Sequence, residues 1–178
     1  MFEQTFKNLD DVLRKEAGCS TELDYAEQTS WLLFLKYLDD FERDRALEAK
    51  LTGKKYKRLI DQEHRWSIWA APKTKGGEFD HDNALAGEDL VEFVDDDLFP
   101  YLEGFRGRAE SPDSIEYKVG EIFGEVRSKF RSGYLLRDET NNIKSTVGRD
   151  GAGICPARYG CDHPRPFGRR LGVEHHLQ

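Results

Sequence analysis

The chain has 178 residues, of which 34% are charged and 38% hydrophobic, and its net charge is −7. That length supports one domain with a buried core and no need of a covalent staple. Three cysteines form no disulfide framework, and no apolar signal segment follows Met1. The composition therefore points to the cytoplasm and argues against a secreted scaffold or a membrane span.

Charge is unevenly spread: residues 144–178 hold six basic and three acidic side chains, and residues 1–143 hold 21 basic and 31 acidic. An acidic body argues against strong autonomous binding to nucleic acid. If the protein meets DNA, partners are expected to supply most of the cationic surface.

The first segment places Phe2, Phe6, Leu9 and Leu13 at steps of four, three and four, with Val12 beside them. This spacing predicts an amphipathic helix, with Gly18 as the residue that ends it. Ser20, Thr21 or Asp24 can cap the next helix, and Asp24 with Glu27 resembles a capping box. In "SWLLFLKYLDDFERDR" two stripes overlap, Trp31/Leu35/Leu38 and Phe34/Leu38/Phe41, widened by Leu32 and Leu33. A helix apolar on most sides belongs at the centre of a bundle. It is expected to run on, increasingly polar, to Gly53.

Trp66 and Trp69 lie one turn apart, which predicts a short helix stopped before Pro72. "TKGGEFDHDNALAGED" reads as a loop. Leu90, Val94, Leu98, Tyr101 and Phe105 then repeat at helical spacing, and Pro100 should kink or terminate that helix. "RGRAESPDS" reads as a second loop. "IEYKVGEIFGEVRSKF" predicts a helix bearing Val119, Ile122, Phe123, Val126 and Phe130, weakened by two glycines. A last short helix follows Ser132, with Leu135, Leu136 and Ile143. No stretch alternates like a strand. The expected fold is all-α, a helical bundle of about five to seven helices over residues 1–143, with an irregular C-terminal tail over 144–178.

That tail is rich in Gly, Pro, Arg and His and lacks periodicity, so it cannot bury enough apolar surface to order itself. Cys155, Cys161, His163, His175 and His176 are its potential metal ligands. Their spacing is poor for structural zinc, and an unstructured tail is the favoured reading. "GRDGAG" has no strand before it and no helix after it, so it reads as linker rather than a phosphate cradle.

No Walker A, zinc-protease or nucleophile-elbow motif occurs. The residues before the six prolines are Ala71, Phe99, Ser111, Cys155, His163 and Arg165. None is Asn or Asp, so the base-gripping loop of an amino methylase is absent. No catalytic, cofactor-binding or metal-binding residue is therefore expected in this chain.

Two basic clusters remain as candidate phosphate contacts: Lys54, Lys55, Lys57 and Arg58, and Arg127, Lys129 and Arg131. The alternative for each is a solvated helix end or loop. Trp31, Trp66 and Trp69 read as core rather than stacking platforms. Asp95, Asp96 and Asp97 point in different directions on a helix, which suggests a solvated face and no metal site.

"LDYAEQTSWLLFLKYLDDFERD", "HRWSIWA", "DDDLFPYLEGF" and "RSGYLLRDETNNI" occur in this order. Together they resemble the N-terminal helical domain of the modification (methylation) subunit of type I restriction–modification systems, over roughly residues 1–143. The resemblance implies a domain that precedes an S-adenosylmethionine-dependent adenine-N6 methyltransferase domain. It implies a specificity subunit and a second modification subunit as partners, with DNA held through the complex and no membrane. The chain departs from the family after "DGAG", where "ICPARYGCDHPRPFGRR" follows. That is what out-of-frame translation of GC-rich DNA yields, so a truncated or frameshifted modification subunit is expected. It would be inactive alone and would serve assembly and DNA clamping. The competing reading is a free-standing helical interaction module with no DNA role.

Overall fold

The computed structural model describes the backbone of residues 2–146 and the side chains of residues 7–143. The tail cysteines and histidines and the "GRDGAG" stretch lie outside the described residues. The order of elements is α1 (Phe2–Leu13), α2 (Glu22–Leu51), a 3₁₀ turn (Gln62–His64), α3 (Trp66–Trp69), α4 (Glu88–Glu92), a π-wound segment (Phe93–Leu98), α5 (Phe99–Glu103), α6 (Phe105–Arg108), α7 (Ile115–Glu125) and α8 (Gly133–Thr146). Among the described residues there is no strand, only an isolated antiparallel bridge between Lys73 and Phe79. The all-α expectation holds.

Helix α2 is the spine. Its N-terminus is closed by a capping box, but the pair is Thr21 with Asp24, not Asp24 with Glu27 as the spacing suggested. Thr21 Oγ1 accepts from Asp24 N–H at 3.2 Å, and Asp24 Oδ2 accepts from Thr21 N–H at 2.8 Å. Thr leads Asp because its hydroxyl reaches the third helical N–H while the short carboxylate turns back. Glu27 is left for Lys129. At the other end Gly53 takes φ 69°. Lys54 N–H reaches Ala49 O at 2.8 Å and Gly53 N–H reaches Lys50 O at 3.4 Å. This Schellman closure ends the helix where its sequence pattern predicts, because glycine enters the left-handed region without a Cβ penalty.

Trp31, Leu32, Leu35 and Leu38 are all buried in the core. Trp31 meets Phe99 edge-on at 5.1 Å and Phe130 at 6.3 Å, and Phe99 meets Phe123 at 5.3 Å. Such edge-to-face pairs add about 0.5–1.5 kcal/mol each beyond area burial. The apolar arc is wider than the buried one, however. Tyr37 is 53% exposed and Phe41 36% exposed, and they stack on each other at 6.1 Å. Phe41 is thus not the core residue its spacing implied.

Trp66 and Trp69 are buried, one turn apart and edge-on at 5.2 Å. Leu90, Val94, Leu98 and Phe105 are buried as their period predicts, joined by Leu102. The expected disturbance around Pro100 takes the form of a change in winding. Phe99 N–H donates to Val94 O, five residues back. The ladder therefore slips by one residue just ahead of the proline, which supplies no N–H of its own. Helix α6 occupies the start of the stretch read as a loop.

Helix α7 is shorter than its sequence pattern. It stops at Glu125, and Val126 is extended at φ −82°, ψ 146°. Residues 126–132 form a strap across the turn between α1 and α2 and the first turns of α2, instead of two further turns. Two buried side chains hold its backbone. Gln28 Nε2 donates to Arg127 O at 3.0 Å, and Gln28 Oε1 accepts from Lys129 N–H at 2.9 Å and Trp31 Nε1–H at 2.9 Å. Glu16 accepts from Arg131 N–H at 2.9 Å, Ser132 N–H at 3.2 Å and Gly18 N–H at 3.3 Å. These contacts satisfy backbone donors that a helix would have satisfied internally.

Gly18 is accordingly not a helix cap. Helix α1 already ends at Leu13, and a Cβ on Gly18 would lie 1.7 Å from Lys129 O. Its role is to let the strap approach. Gly120, one of the two glycines expected to weaken α7, similarly admits α6, since a Cβ there would lie 2.2 Å from Arg106 N.

Helix α8 lies chiefly against α1 and also touches α2 and α4. Its Arg137 reaches three carbonyl oxygens, Ala70 at 2.6 Å, Trp69 at 3.2 Å and Leu85 at 2.5 Å. It thereby closes both ends of the 70–85 loop. Glu139 is fully buried; Thr29 Oγ1 donates to its Oε1 at 3.4 Å, and its Oε2 has no partner. Burial pushes its carboxyl up to about 8, despite the Thr29 hydrogen bond, and the nearby Asp10 carboxylate adds to the rise.

The close approaches and the buried carboxyl set measurable stability effects. Gly18→Ala should destabilise the protein by at least about 2 kcal/mol in urea unfolding, because a backbone oxygen must move. Gly124→Ala, whose Cβ would meet nothing within 4 Å, should be neutral or stabilising by up to about 1 kcal/mol. Glu139 stays protonated in the fold well above its unfolded value. The folded chain then holds a proton that the unfolded chain has released, so stability should fall as pH rises from about 4.5 to about 8. Glu139→Gln should remove a slope on the order of 1 kcal/mol per pH unit from denaturation midpoints measured across that window.

Candidate functional site

Beyond the cap at Gly53 the chain runs extended along the second half of α2. Lys54, Lys55, Tyr56 and Lys57 are exposed, Arg58 and Leu59 half-buried, and Ile60 buried. Buried Glu42 organises this run. It accepts from the backbone N–H of Leu59, from Ile60 N–H at 3.3 Å and from Tyr56 Oη at 3.5 Å. Burial, and then the Glu42 carboxylate, raise the Tyr56 phenol above its ordinary value. Arg58 comes within 3.7 Å of buried Asp39, an ion pair too long for a hydrogen bond. Lys54, Lys55 and Lys57 form no ion pair with a described residue.

The run forms one wall of a groove of about 580 Å³. The other wall is the corner where α5, α6 and α7 meet. Tyr101 stands at the floor, with its Oη accepting from Asp61 N–H at 2.9 Å and its ring stacked on His64 at 3.7 Å. The Arg108 guanidinium lies over Phe105 at 4.4 Å and Tyr101 at 5.0 Å, and donates to Tyr101 O at 2.8 Å. Phe41, Ile115, Glu110 and Glu116 complete the rim.

The structure thus joins Lys57 and Arg58 to Arg108 and to aromatic groups. It does not join them to Arg127, Lys129 and Arg131, none of which lines the groove. That second cluster rides on the strap and is committed to carboxylates. Lys129 Nζ is 2.7 Å from Asp24 and 2.8 Å from Glu27. These bonds raise the Lys129 ammonium and hold Asp24 well below the usual carboxylate range. Arg127 donates to Phe123 O at 3.0 Å and lies 3.8 Å from Glu103, and Arg131 lies 3.9 Å from Asp95.

Neither Arg108 nor Glu42 stands out in the sequence as a site residue. Arg108 falls in a stretch that reads as a loop, and Glu42 reads as one more charge on a polar helix end. Only the three-residue step from Asp39 to Glu42, along the helix face that carries Leu38, hints that these carboxylates turn inward.

The described residues offer little reactive chemistry. Burial pushes the Cys19 thiol up to about 11, with Glu16 adding to the rise, which makes it a poor nucleophile. Among the described residues no group of three or more His, Cys, Asp or Glu side chains is placed to hold a metal ion. Asp96 and Asp97 are exposed, as a solvated face requires, but Asp95 is half-buried, and burial raises its carboxyl above the ordinary value. No described helix is long and apolar enough to cross a membrane.

Comparison with known proteins agrees on one family. The family model described as HsdM N-terminal domain matches residues 2–143. The methylase subunit of the type I restriction enzyme EcoEI from Escherichia coli is 32% identical over 137 residues, covering 77% of this chain and 25% of that protein. A modification subunit assigned to a type I restriction enzyme of Vibrio vulnificus YJ016 superposes with a TM-score of 0.66 at 28% identity, covering 79% of this chain and 29% of that one. A chain from a structural study of complex assembly and conformational transition in the type I R-M system gives a TM-score of 0.60 at 25% identity, covering 83% and 26%. The chain spans between a quarter and a third of the length of these relatives. With an all-α body and a family match over residues 2–143, this chain belongs to the HsdM N-terminal domain family of type I restriction–modification methylase subunits.

Proposed function

We propose that this chain is an assembly and DNA-clamping domain of a type I adenine-N6 DNA methyltransferase subunit, acting in the cytoplasm and without methyl transfer of its own. Its partners in this reading are a specificity subunit and a second modification subunit. S-adenosylmethionine serves the full-length family and is not assigned to any residue here.

The observation that carries the reading is an HsdM N-terminal fold that presents exposed, unpaired lysines just past the end of its longest helix. Lys54 and Lys55 are the strongest candidates for phosphate contact. Both are exposed, neither pairs with a carboxylate among the described residues, and they follow directly on the Schellman turn that ends α2. Lys129 is a weaker one, since a phosphate would have to displace two carboxylates already within 2.8 Å. The acidic body explains why affinity should depend on the complex, because a partner must supply the remaining positive field.

Mixing the purified chain with a type I specificity subunit and duplex DNA tests the reading. The chain should co-elute with the specificity subunit. DNA affinity of the mixture should fall with salt, and Lys54→Ala with Lys55→Ala should reduce the log–log salt slope by about one per residue. Methylation of adenine by the chain alone would contradict the claim of incompetence. Failure to co-elute would favour the free-standing interaction module instead.

A further inference from the structure

Helix α1 is held unevenly. It packs chiefly on α8 and only lightly on α2. A cleft of about 480 Å³ opens between α1 and α2, lined by Asp10 and Arg14 on one side and by Tyr25 and Thr29 on the other. Just past the helix end the chain is fixed again. Glu16 bonds the N–H groups of Arg131 and Ser132, and Gly18 lies against Lys129 O. Exposed Arg14 and Lys15 separate the last residue of α1 from that anchor. Helix α8, in contrast, is pinned without help from α1. Its Arg137 holds Trp69 O, Ala70 O and Leu85 O, and its first residue, Gly133, lies against Gly87 O.

Glu139 lies on the inner face of α8, fully buried with Leu136, Thr140 and Ile143. A buried carboxylate needs a cation or several N–H donors. This carboxyl has the Thr29 hydroxyl at 3.4 Å for Oε1 and nothing for Oε2. The charged groups around it do not make up the deficit. From α1, Asp10 acts on Glu139 with the same sign of charge, and exposed Arg14 does not bear on it. From the turn between α1 and α2, the Cys19 thiol feels the Glu139 charge, and Glu16 is bonded to the strap. From α2, Glu22 and Tyr25 line the cleft. On the strap, Lys129 pairs with Asp24 and Glu27. From α4, Glu88, Asp89 and Glu92 are exposed. On α8 itself, Arg137 is turned to the 70–85 loop.

We propose that α1 is a proton-operated lid over Glu139, closed on the neutral carboxyl and swinging open about Arg14 and Lys15 when the proton leaves. An ionised Glu139 needs water, and the closed helix offers it only a second carboxylate, Asp10. Opening also bares Leu9 and Leu13, which are buried when α1 is docked. The lid goes beyond the assembly and clamping reading and needs neither DNA nor a partner. Its sign follows from linkage. Docked Glu139 keeps its proton up to about 8, and in the opened chain it returns to the ordinary value of 4.5. The opening constant should therefore be flat below about 4.5, rise about tenfold per pH unit between 4.5 and 8, and level off above that.

Hydrogen exchange of the full chain, read by mass spectrometry at pH values of about 6, 7 and 8, tests the lid. Rates are corrected for intrinsic exchange and measured across low urea concentrations, because global unfolding also frees the Glu139 proton but exposes far more surface. Amides of α1 should exchange by a route that depends little on urea and speeds up about tenfold per pH unit. Amides in the buried half of α2 should exchange only by the route that is steep in urea. Glu139→Gln should make the α1 opening constant independent of pH. Asp10→Asn, at an exposed position that does not threaten folding, should lower α1 opening at pH 8 about threefold by removing the facing charge. Circular dichroism confirms that each variant is folded.

The proposal is overturned if α1 and α2 share one urea slope, since α1 would then leave only when the whole fold does. It is also overturned if α1 opening is the same at pH 6 and pH 8, or if its pH dependence survives in Glu139→Gln. An α1 opening constant at pH 8 that Asp10→Asn leaves unchanged would overturn it as well.

Discussion

Buried polar side chains that grip irregular backbone are the constraint on which this fold depends. Only four of its described helices exceed ten residues, so long stretches of chain cross the core without a helix or sheet to satisfy their peptide groups. Gln28 and Glu16 do this for the strap over residues 126–132, Glu42 for the run from Tyr56 to Ile60, and Arg137 for the 70–85 loop. Each sits on or beside a long helix and each makes several bonds. An unsatisfied buried peptide group costs about 1–3 kcal/mol, so losing any one of the four would leave more than one such group stranded. The apolar core supplies most of the stabilisation, but these four side chains decide the path that the connecting chain takes over it.

Much of the architecture was legible in the residues. Trp31, Leu35 and Leu38 marked the inner face of α2, Gly53 its end, Trp66 and Trp69 the short third helix, and Pro100 the disturbance in the fourth run. These are local signals, set by period and by backbone chemistry within one turn. What was illegible was non-local. Val126 and Phe130 keep a helical step from Phe123, and Phe130 is buried as that step predicts, yet the backbone between them is extended. Helical spacing records which residues are buried and not how the chain reaches burial. Gly18 resembled a stop signal, and its function emerges only once Lys129 is placed against it. Phe41 continued an apolar stripe but outran the available partners, which is how a rim residue of the groove came to resemble core.

The basic clusters teach a related lesson about charge. Lys57 and Lys129 are equivalent in sequence, each in a short basic run beside aromatic residues. In the fold, Lys129 is one corner of a triangle with Asp24 and Glu27, at the position where the capping box of α2 meets the strap. Its charge is consumed in joining two elements. The 54–57 lysines have no such partner among the described residues and are exposed. Composition reports how many cations a surface owns, while only tertiary pairing reports how many it can offer.

The strap's anchors also bear on how the chain acquires its shape. Gln28 bonds residues 99 and 101 positions away, and Glu16 bonds residues 115 and 116 positions away. During synthesis the first two helices can wind and collapse early, but their inward-facing amide and carboxylate stay wet until residue 132 has left the ribosome. Loop closure over so long a span is entropically slow to achieve. The acquisition of native structure is therefore expected to end with the strap and the α8 helix that follows it and packs on α1, and a nascent chain halted before them would expose the Trp31 face to chaperones and proteases.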